Sequence, residues 1–577
     1  MRRPASALVL AVVAGGLLSG CVGIPSSGPV HQGGAIVESN DDPFTRIVAQ
    51  PPVPGMTAQQ EVEGFLHASA SFDDDHAVAR MFLTTDAARA WNADAGATVY
   101  DDSGQAGPVR FNVTGQDVVK FSGPQTGRIT PQGEFLAAPK GATASATFRL
   151  VKVARQWRIA ALPPGLLLTT NDVGRAYRSF NVYFPDPSRT VVVPEQVLVP
   201  VGPGISTSLV RAVLAGPTPW LSPAVSSAVP TGTRLVVDSA PITDGSVLID
   251  LTAPAAGAVG REAAAMSAQF VWTLRQLSSV TTLRITVEGV PLRVPGVGDT
   301  QSIQGWSEFD PDSGSADSNA YAVSQGKVVL VKGNQPQAIA GPFGDGSVQV
   351  AHPASSFDQT QLAGLDLGGG RLLMVRSGPG THPVVALTGS SLTPPSWDRL
   401  GAVWTADRGP GGNTVWDLTL GSAPRKVSVQ DLPKGTILGL RLARDGVRVA
   451  VLLRAVDGVS DVYLGRVQRA DNKVSLAGFE LVNTGFAQTT DFAWESADRL
   501  VVLGRDKPAD VLQPWLVDLS GTRVQAFGTV TGGAGMASVT AAPTRPVLAS
   551  TVDGKLWWYS GFEWDPLGTA SSPSYPG

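Results

Sequence analysis

Residues Ile437 to Arg454 read ILGLRLARDGVRVAVLLR, and this stretch decides what most of the chain can be. Apolar, strand-like runs flank a short polar turn at Arg444-Asp445-Gly446, which predicts a hairpin. The same design of apolar strand, polar turn and apolar strand recurs five times. It is seen in NAYAVSQGKVVLV from Asn319, LAGLDLGGGRLLMVR from Leu362, PPSWDRLGAVWTA from Pro394, TDFAWESADRLVVLGR from Thr490 and ASVTAAPTRPVLASTVDG from Ala537. Most units are followed by a third strand, such as NTVWDLTL from Asn413, SDVYLGRV from Ser460, QPWLVDLS from Gln513 and KLWWYS from Lys555. Four of the five turn-to-turn intervals run to about 40–55 residues, the period of a propeller blade. The expected fold over residues 299–577 is therefore a β-propeller of about six blades, with five or seven allowed. The interval from Gly370 to Asp398 is shorter. It predicts a second blade without its outer strand and leaves closure of the ring open.

Upstream of this region, residues 173–298 give the order strand, strand, helix, hairpin, helix, strand. SFNVYF and TVVVPEQVLVPV are the strands, and STSLVRAVLAGP is a short helix with Ser206 or Ser208 as cap. TRLVVDSAPITDGSVLIDLT reads as two strands joined through Asp244-Gly245, a hairpin-type dipeptide. REAAAMSAQFVWTLRQLS is the second helix and TTLRITVEGVPL the final strand. Residues 56–172 begin with helical spacing at Val62, Phe65, Leu66 and Ala70, then Val78, Met81 and Phe82, with Thr57 and Gln60 as a capping box. Alternating segments follow, RFNVTGQDVVKF, TASATFRLVKVARQ and WRIAAL. Helices first and then an antiparallel sheet predict an α+β cone. The chain is thus multidomain, α+β and all-β.

The extreme N-terminus carries the only cysteine in 577 residues. Arg2 and Arg3 precede an apolar run from Ala5 to Leu18, the layout of an export signal. That run is shorter than the ~20 residues a membrane-spanning helix needs. Leu18-Ser19-Gly20-Cys21 matches the lipobox of bacterial lipoproteins, with cleavage between Gly20 and Cys21 after residues 1–20. The Cys21 thiol is then the site of a covalent diacylglycerol, with or without a further N-acyl chain. A second chain matters, because each buried methylene contributes about 0.8 kcal/mol and one chain holds only marginally. Residues 21–55 are rich in Pro, Gly and Ser and read as a tether reaching on the order of 30 Å. The expected location is the extracytoplasmic face of the cell membrane, held by lipid.

Composition narrows the chemistry further. A formal net charge of −4 and a pI near 5.8 offer no broad basic footprint, so nucleic acid is not an expected partner. With its one thiol lipidated, the chain has neither a disulfide nor a thiolate metal site to offer. The five histidines, His31, His67, His76, His352 and His382, show no metal-binding spacing. Ser324-Gln325-Gly326-Lys327 matches Ser-x-x-Lys formally, but its flanks make it a hairpin turn and not the helical turn that pairing needs. FDDDHA at Phe72–Ala77 reads as a solvated helix junction. FDPDSGSADS at Phe309–Ser318 has calcium-loop composition but lacks the terminal glutamate, and reads as a hinge. Tryptophans 397, 404, 416, 494, 515, 557, 558 and 564 read chiefly as core, with a binding surface as the other use. No catalytic residue, metal or cofactor is expected, and no ligand-binding residue can be assigned.

Three partial resemblances sharpen this reading. The helix-then-sheet domain resembles the nuclear-transport-factor-like fold, and ARDGVRVAVLL looks like the repeats of TolB-type propellers. SLVRAVLAGPTP, VPTGTRL, VLIDLT, FVWTLRQL and LRITVEGVPL together resemble the GerMN domain of cell-envelope lipoproteins. With CVGIPSSGPV after the lipobox, the whole order is similar to the LpqB lipoproteins of actinobacteria. That resemblance implies an accessory partner of the MtrA/MtrB two-component system, touching the extracytoplasmic part of the sensor kinase in cell-wall homeostasis and division. A lipoprotein that binds an envelope glycan or a small solute, with no signalling role, is the competing expectation.

Overall fold

The computed structural model describes residues 49–577, apart from 73–74, 140, 203, 315–318, 334, 471–472, 483–484, 520–522 and 533. The lipobox Leu18, Ser19, Gly20 and Cys21, together with His31, lies outside the described residues. The described chain forms one unit of three domains.

The first domain opens with the helix Ala58–Ser69, started by the capping box expected from sequence: Gln60 N donates to Thr57 Oγ1 at 3.3 Å and Thr57 N to Gln60 Oε1 at 2.9 Å. Its apolar face, Val62, Phe65 and Leu66, is buried against a curved sheet, where Phe65 meets Trp91 at 5.2 Å and Phe148 at 6.1 Å. Buried Glu61 takes a 3.0 Å ion pair from Arg158 and fastens the helix to the sheet. The sheet runs Gln156–Ala161, Thr143–Val153, Val118–Ile129, Ala97–Tyr100 and Leu166–Thr169. Its last pair is parallel, which sequence alternation alone did not indicate.

The second domain holds the hairpin Tyr177–Pro185/Val192–Pro200 and a second sheet around the parallel pair Ser246–Leu251 and Thr282–Val287. The helix Arg261–Leu274 makes the crossover between those parallel strands and is buried almost all round, polar Ser267, Gln269 and Thr273 included. Asp244-Gly245 does form a hairpin turn, both residues having positive φ. The first arm is much shorter than expected. Only Ile242–Thr243 pairs there, and Leu235 makes a lone bridge to Leu251. Val236 and Val237 stay exposed, and Pro241, which has no N–H to give a ladder, precedes the strand.

The propeller closes with six four-stranded units. The first unit joins Ala320–Ser324, Lys327–Lys332 and Gln335–Ala338 to Ser571–Ser574 from the far end of the chain, Tyr321 facing Ser574 and Val323 facing Ser571. This pairing closes the ring. The second unit is complete, with Val384–Thr388 as its outer strand, so the expected loss of that strand is corrected. Gly370 lies between the second and third strands of its unit, whereas Asp398, Asp445 and Asp498 lie between the first and second of theirs. Gly370 and Asp398 are therefore not equivalent turns, and the interval between them is not a blade period. The equivalent turn in the second unit holds Asp358, and its distance along the chain to Asp398 is ordinary for a blade.

Blades three and four are further joined by a short parallel contact, Ser428 with Ser475 and Val429 with Leu476. The tryptophans serve mainly as core: Trp397 and Trp404 are fully buried, and Trp494, Trp557 and Trp564 nearly so. Trp404 donates to Asp398 Oδ2 at 3.1 Å, fixing the turn of its own blade.

Contacts across domain boundaries are specific. Val447, in the turn of the stretch quoted first, is buried in the hydrophobic core of the second domain. Asn181 donates to Asp498 Oδ2 at 2.7 Å, and Trp220 Nε1 donates to the Gly478 carbonyl at 2.6 Å. On the other side, Leu198 N donates to the Gly133 carbonyl at 2.8 Å. Gly133 has φ +86°, and a Cβ there would lie 2.7 Å from the Leu198 carbonyl oxygen. Gly133→Ala is therefore expected to loosen this boundary at a cost of about 1–3 kcal/mol, seen as faster hydrogen exchange at Leu198 in the full chain. Unchanged exchange there would remove the claim that this contact is tight.

Candidate functional site

A cavity of about 790 Å³ opens where the three domains meet. Its wall takes Phe135 and Leu136 from the first domain, Val197, Leu198 and Trp220 from the second, and Leu464, Leu481 and Leu519 from the propeller. One carboxylate comes from each domain: Glu134, Glu195 and Glu480. The local folding that places them is simple. Glu134 ends a tight turn in which its N–H donates to Thr130 Oγ1 at 3.1 Å. Glu195 stands on the strand Val192–Pro200, on the same face as Val193 and Val197, and is almost fully buried. Glu480 stands near the end of the outer strand of blade four and keeps solvent contact at the rim.

None of the three is in an ion pair among the described residues. Thr218 serves Glu195 twice, with its N–H at 2.9 Å and its hydroxyl. Burial nevertheless dominates and pushes the Glu195 carboxyl up to about 7, with the charges of Glu134 and Glu480 adding to the effect. Partial loss of water, and then the charge of Glu134, raise Glu480 against the pull of Arg466, towards about 7. Burial raises Glu134 as well, opposed by Arg128. Among the described residues the one cation on the wall is Arg448, and it is committed to Asp445 at 2.6 Å.

This arrangement has a pH consequence. A carboxyl raised in the folded state binds its proton there more tightly than in the unfolded chain. Its contribution to stability is present below the unfolded value of 4.5 and is lost as pH rises through about 7. For Glu195, buried and hydrogen-bonded, the loss is on the order of 3 kcal/mol. Glu195→Gln is expected to flatten the fall in unfolding midpoint between pH 5 and pH 8. An unchanged slope would show that Glu195 does not titrate with folding.

A smaller cavity, about 160 Å³, follows the propeller axis. It is lined by His352 and by Arg441, which pairs with Asp491 at 3.3 Å. Burial depresses the His352 imidazole.

The remaining residues singled out from sequence do not converge. His67 and His382 are exposed and far apart in the fold, His76 is buried against Phe72 and Trp91, and His352 is in the axial cavity. Ser324 and Lys327 face each other across a hairpin, and the serine hydroxyl donates to the Thr569 carbonyl at 2.7 Å. Asp310 and Asp312, from FDPDSGSADS, lie beside Arg444, and burial pushes Asp312 to about 8. Part of that segment, and part of FDDDHA, lies outside the described residues. No group of three or more potential metal-ligating side chains is found among the described residues.

The site residues that sequence reading missed are Glu134, Glu195, Glu480 and Trp220. Glu195 alone left a signal: it interrupts VVVPEQVLVPV on the face that is otherwise apolar.

A closed propeller locked to two smaller domains of mixed helix and strand around one shared cavity defines a multidomain, propeller-bearing protein. Comparison with known families gives the class its members. Residues 51–174 match the family described as "Lipoprotein LpqB, N-terminal domain", 181–293 "Sporulation and spore germination", and 326–576 "Lipoprotein LpqB beta-propeller domain". Lipoprotein LpqB of Thermobifida fusca is 31% identical over 97% of this chain and 97% of its own length. That of Streptomyces coelicolor is 30% identical over 100% and 98%, and that of Mycolicibacterium smegmatis 28% over 88% and 87%. The chain belongs to the lipoprotein LpqB family. Among solved structures it is similar to TolB from Acinetobacter baumannii, with TM-score 0.34 and 14% identity over 46% of this chain and 68% of that one. It is also similar to the first GerMN domain of GerM from Bacillus subtilis, with TM-score 0.18 and 16% identity over 22% and 97%. No helix among the described residues is long and apolar enough to cross a membrane.

Proposed function

We propose that this protein is a lipid-anchored, non-catalytic accessory of an MtrAB-type sensor kinase, acting by contact on the extracytoplasmic side of the membrane. The observation that carries the reading is the locking of three domains into one unit. Val447 sits in the core of the second domain, and Asn181–Asp498 and Trp220–Gly478 hold the propeller to it. Fixed domain positions suit a scaffold, since surfaces from different domains can then meet one partner without an ordering cost at binding. A lipid on Cys21 and a tether of about 30 Å reach confine those surfaces to the layer that kinase ectodomains occupy. Confinement raises effective concentration, so a weak contact suffices.

Kinase output in cells carrying wild-type protein or Cys21→Ala tests the reading. The expected result is a loss of signalling on release, with binding of the two proteins in dilute solution little changed. Equal output, with no ectodomain binding at high concentration, would overturn it. The cavity favours a second role as well, that of a small-solute binder.

A further inference from the structure

We propose that the cavity at the meeting point of the three domains binds a small apolar molecule carrying a protonated amine. This inference stands independently of the kinase reading. The cavity's volume, about 790 Å³, lies within the range of small-molecule sites. Its wall is built from side chains such as Leu136, Val197, Leu464 and Leu519, which suit a carbon body and not a hydrated ion. Within that wall stand Glu134, Glu195 and Glu480, and the one lining cation among the described residues, Arg448, is already neutralised by Asp445. Three carboxylates facing a common space repel one another, and the pull of Arg466 on Glu480 and of Arg128 on Glu134 is outweighed by burial. An anionic occupant would add to the repulsion, and a neutral one would leave it in place. An ammonium group would relieve it, and the Trp220 indole on the same wall adds cation–π attraction.

The arrangement also says what binding would do. Each carboxylate belongs to a different domain, so a single ammonium held among them ties all three together. Occupancy should therefore tighten the boundaries at Gly133–Leu198 and Trp220–Gly478.

The test uses the full chain in nanodiscs of zwitterionic lipid, titrated with 1-octylamine, 1-octanol or octanoate, with empty nanodiscs as the blank. Saturable one-to-one binding of octylamine is expected, at least tenfold tighter than octanol or octanoate. Indole fluorescence should change with it, and that change should be lost in Trp220→Phe. The double variant Glu195→Gln/Glu480→Gln should weaken octylamine at least tenfold and bring it level with octanol. Its unfolding midpoint at pH 8 should be no lower than wild type, which separates lost binding from lost folding. Affinity should rise between pH 6 and pH 8, because Glu195 and Glu480 shed protons there while the amine stays charged; Glu134 and the cations Arg128, Arg448 and Arg466 are the other charged groups beside them. Equal binding of amine and alcohol, no saturable binding beyond the blank, or an unaffected double variant would each overturn the proposal.

Discussion

Arg448→Met is expected to destabilise the propeller by about 3–5 kcal/mol. The Arg448 side chain is 1% exposed and its partner Asp445 wholly buried, with Nη2 to Oδ2 at 2.6 Å and Nε to Oδ2 at 2.7 Å. Arg448 also donates to the Ala497 carbonyl, so it ties blade four to blade five, and its guanidinium lies 5.5 Å from the centre of the Trp494 ring. Methionine keeps much of the volume but leaves the Asp445 charge buried with only the N–H groups of Val447 and Arg448 to hold it. Uncompensated charge is the large term. The double variant Asp445→Asn/Arg448→Met should therefore lose less than Arg448→Met alone. Because a three-domain chain need not unfold in one step, the readout is the denaturant midpoint of the first transition, compared across the variants. A shift for Arg448→Met worth under about 1 kcal/mol, on the scale of an exposed pair, would show that the pair is not needed.

The second large effect is expected at Cys21. Cys21→Ala removes the only thiol in the chain and with it the one atom the lipobox reading can acylate. Two fatty chains, at about 0.8 kcal/mol per buried methylene, supply the stable attachment that a single chain does not. Fatty-acid labelling should disappear, and the protein should be found either uncleaved or in the soluble fraction. Undiminished labelling with undiminished membrane association would end the lipoprotein reading for this chain.

What could be read in the sequence follows from how local each feature is. The propeller was legible because every blade repeats an apolar strand, a polar turn and an apolar strand within a short span. The quoted turn at Asp445 also holds the most deeply buried ion pair among the described residues. The error in the second blade arose because Gly370 and Asp398 look alike as turns but occupy different steps of their blades. Closure was invisible for a related reason. Ser571–Ser574 is SSPS, with no apolar signature, and its partner strand Ala320–Ser324 lies at the other end of the domain. The capping box at Thr57 was found because it spans only four residues, Thr57 to Gln60. The short arm at Ile242–Thr243 was misread because Val236 and Val237 look like strand residues, although nothing packs over them.

The cavity was beyond sequence reading. Glu134, Glu195 and Glu480 are ordinary acidic residues in three separate segments, and only the docking of three domains brings them together. Glu195 is the exception in part, since a carboxylate on the apolar face of a strand costs energy unless something answers it. Here Thr218 answers it, and burial, which outweighs those hydrogen bonds, is what raises its proton affinity.

The central claim is that this protein works by touching a membrane partner, and crosslinking in intact envelopes tests it most directly. A photo-crosslinking residue placed at exposed Phe562 of the propeller, and another at exposed Val259 of the second domain, sample two surfaces of the full, lipidated chain. The account predicts covalent adducts containing peptides of a sensor-kinase ectodomain from at least one surface, with yield falling when Cys21 is replaced by alanine. Adducts to glycan alone from both positions, unaffected by loss of the anchor, would contradict it.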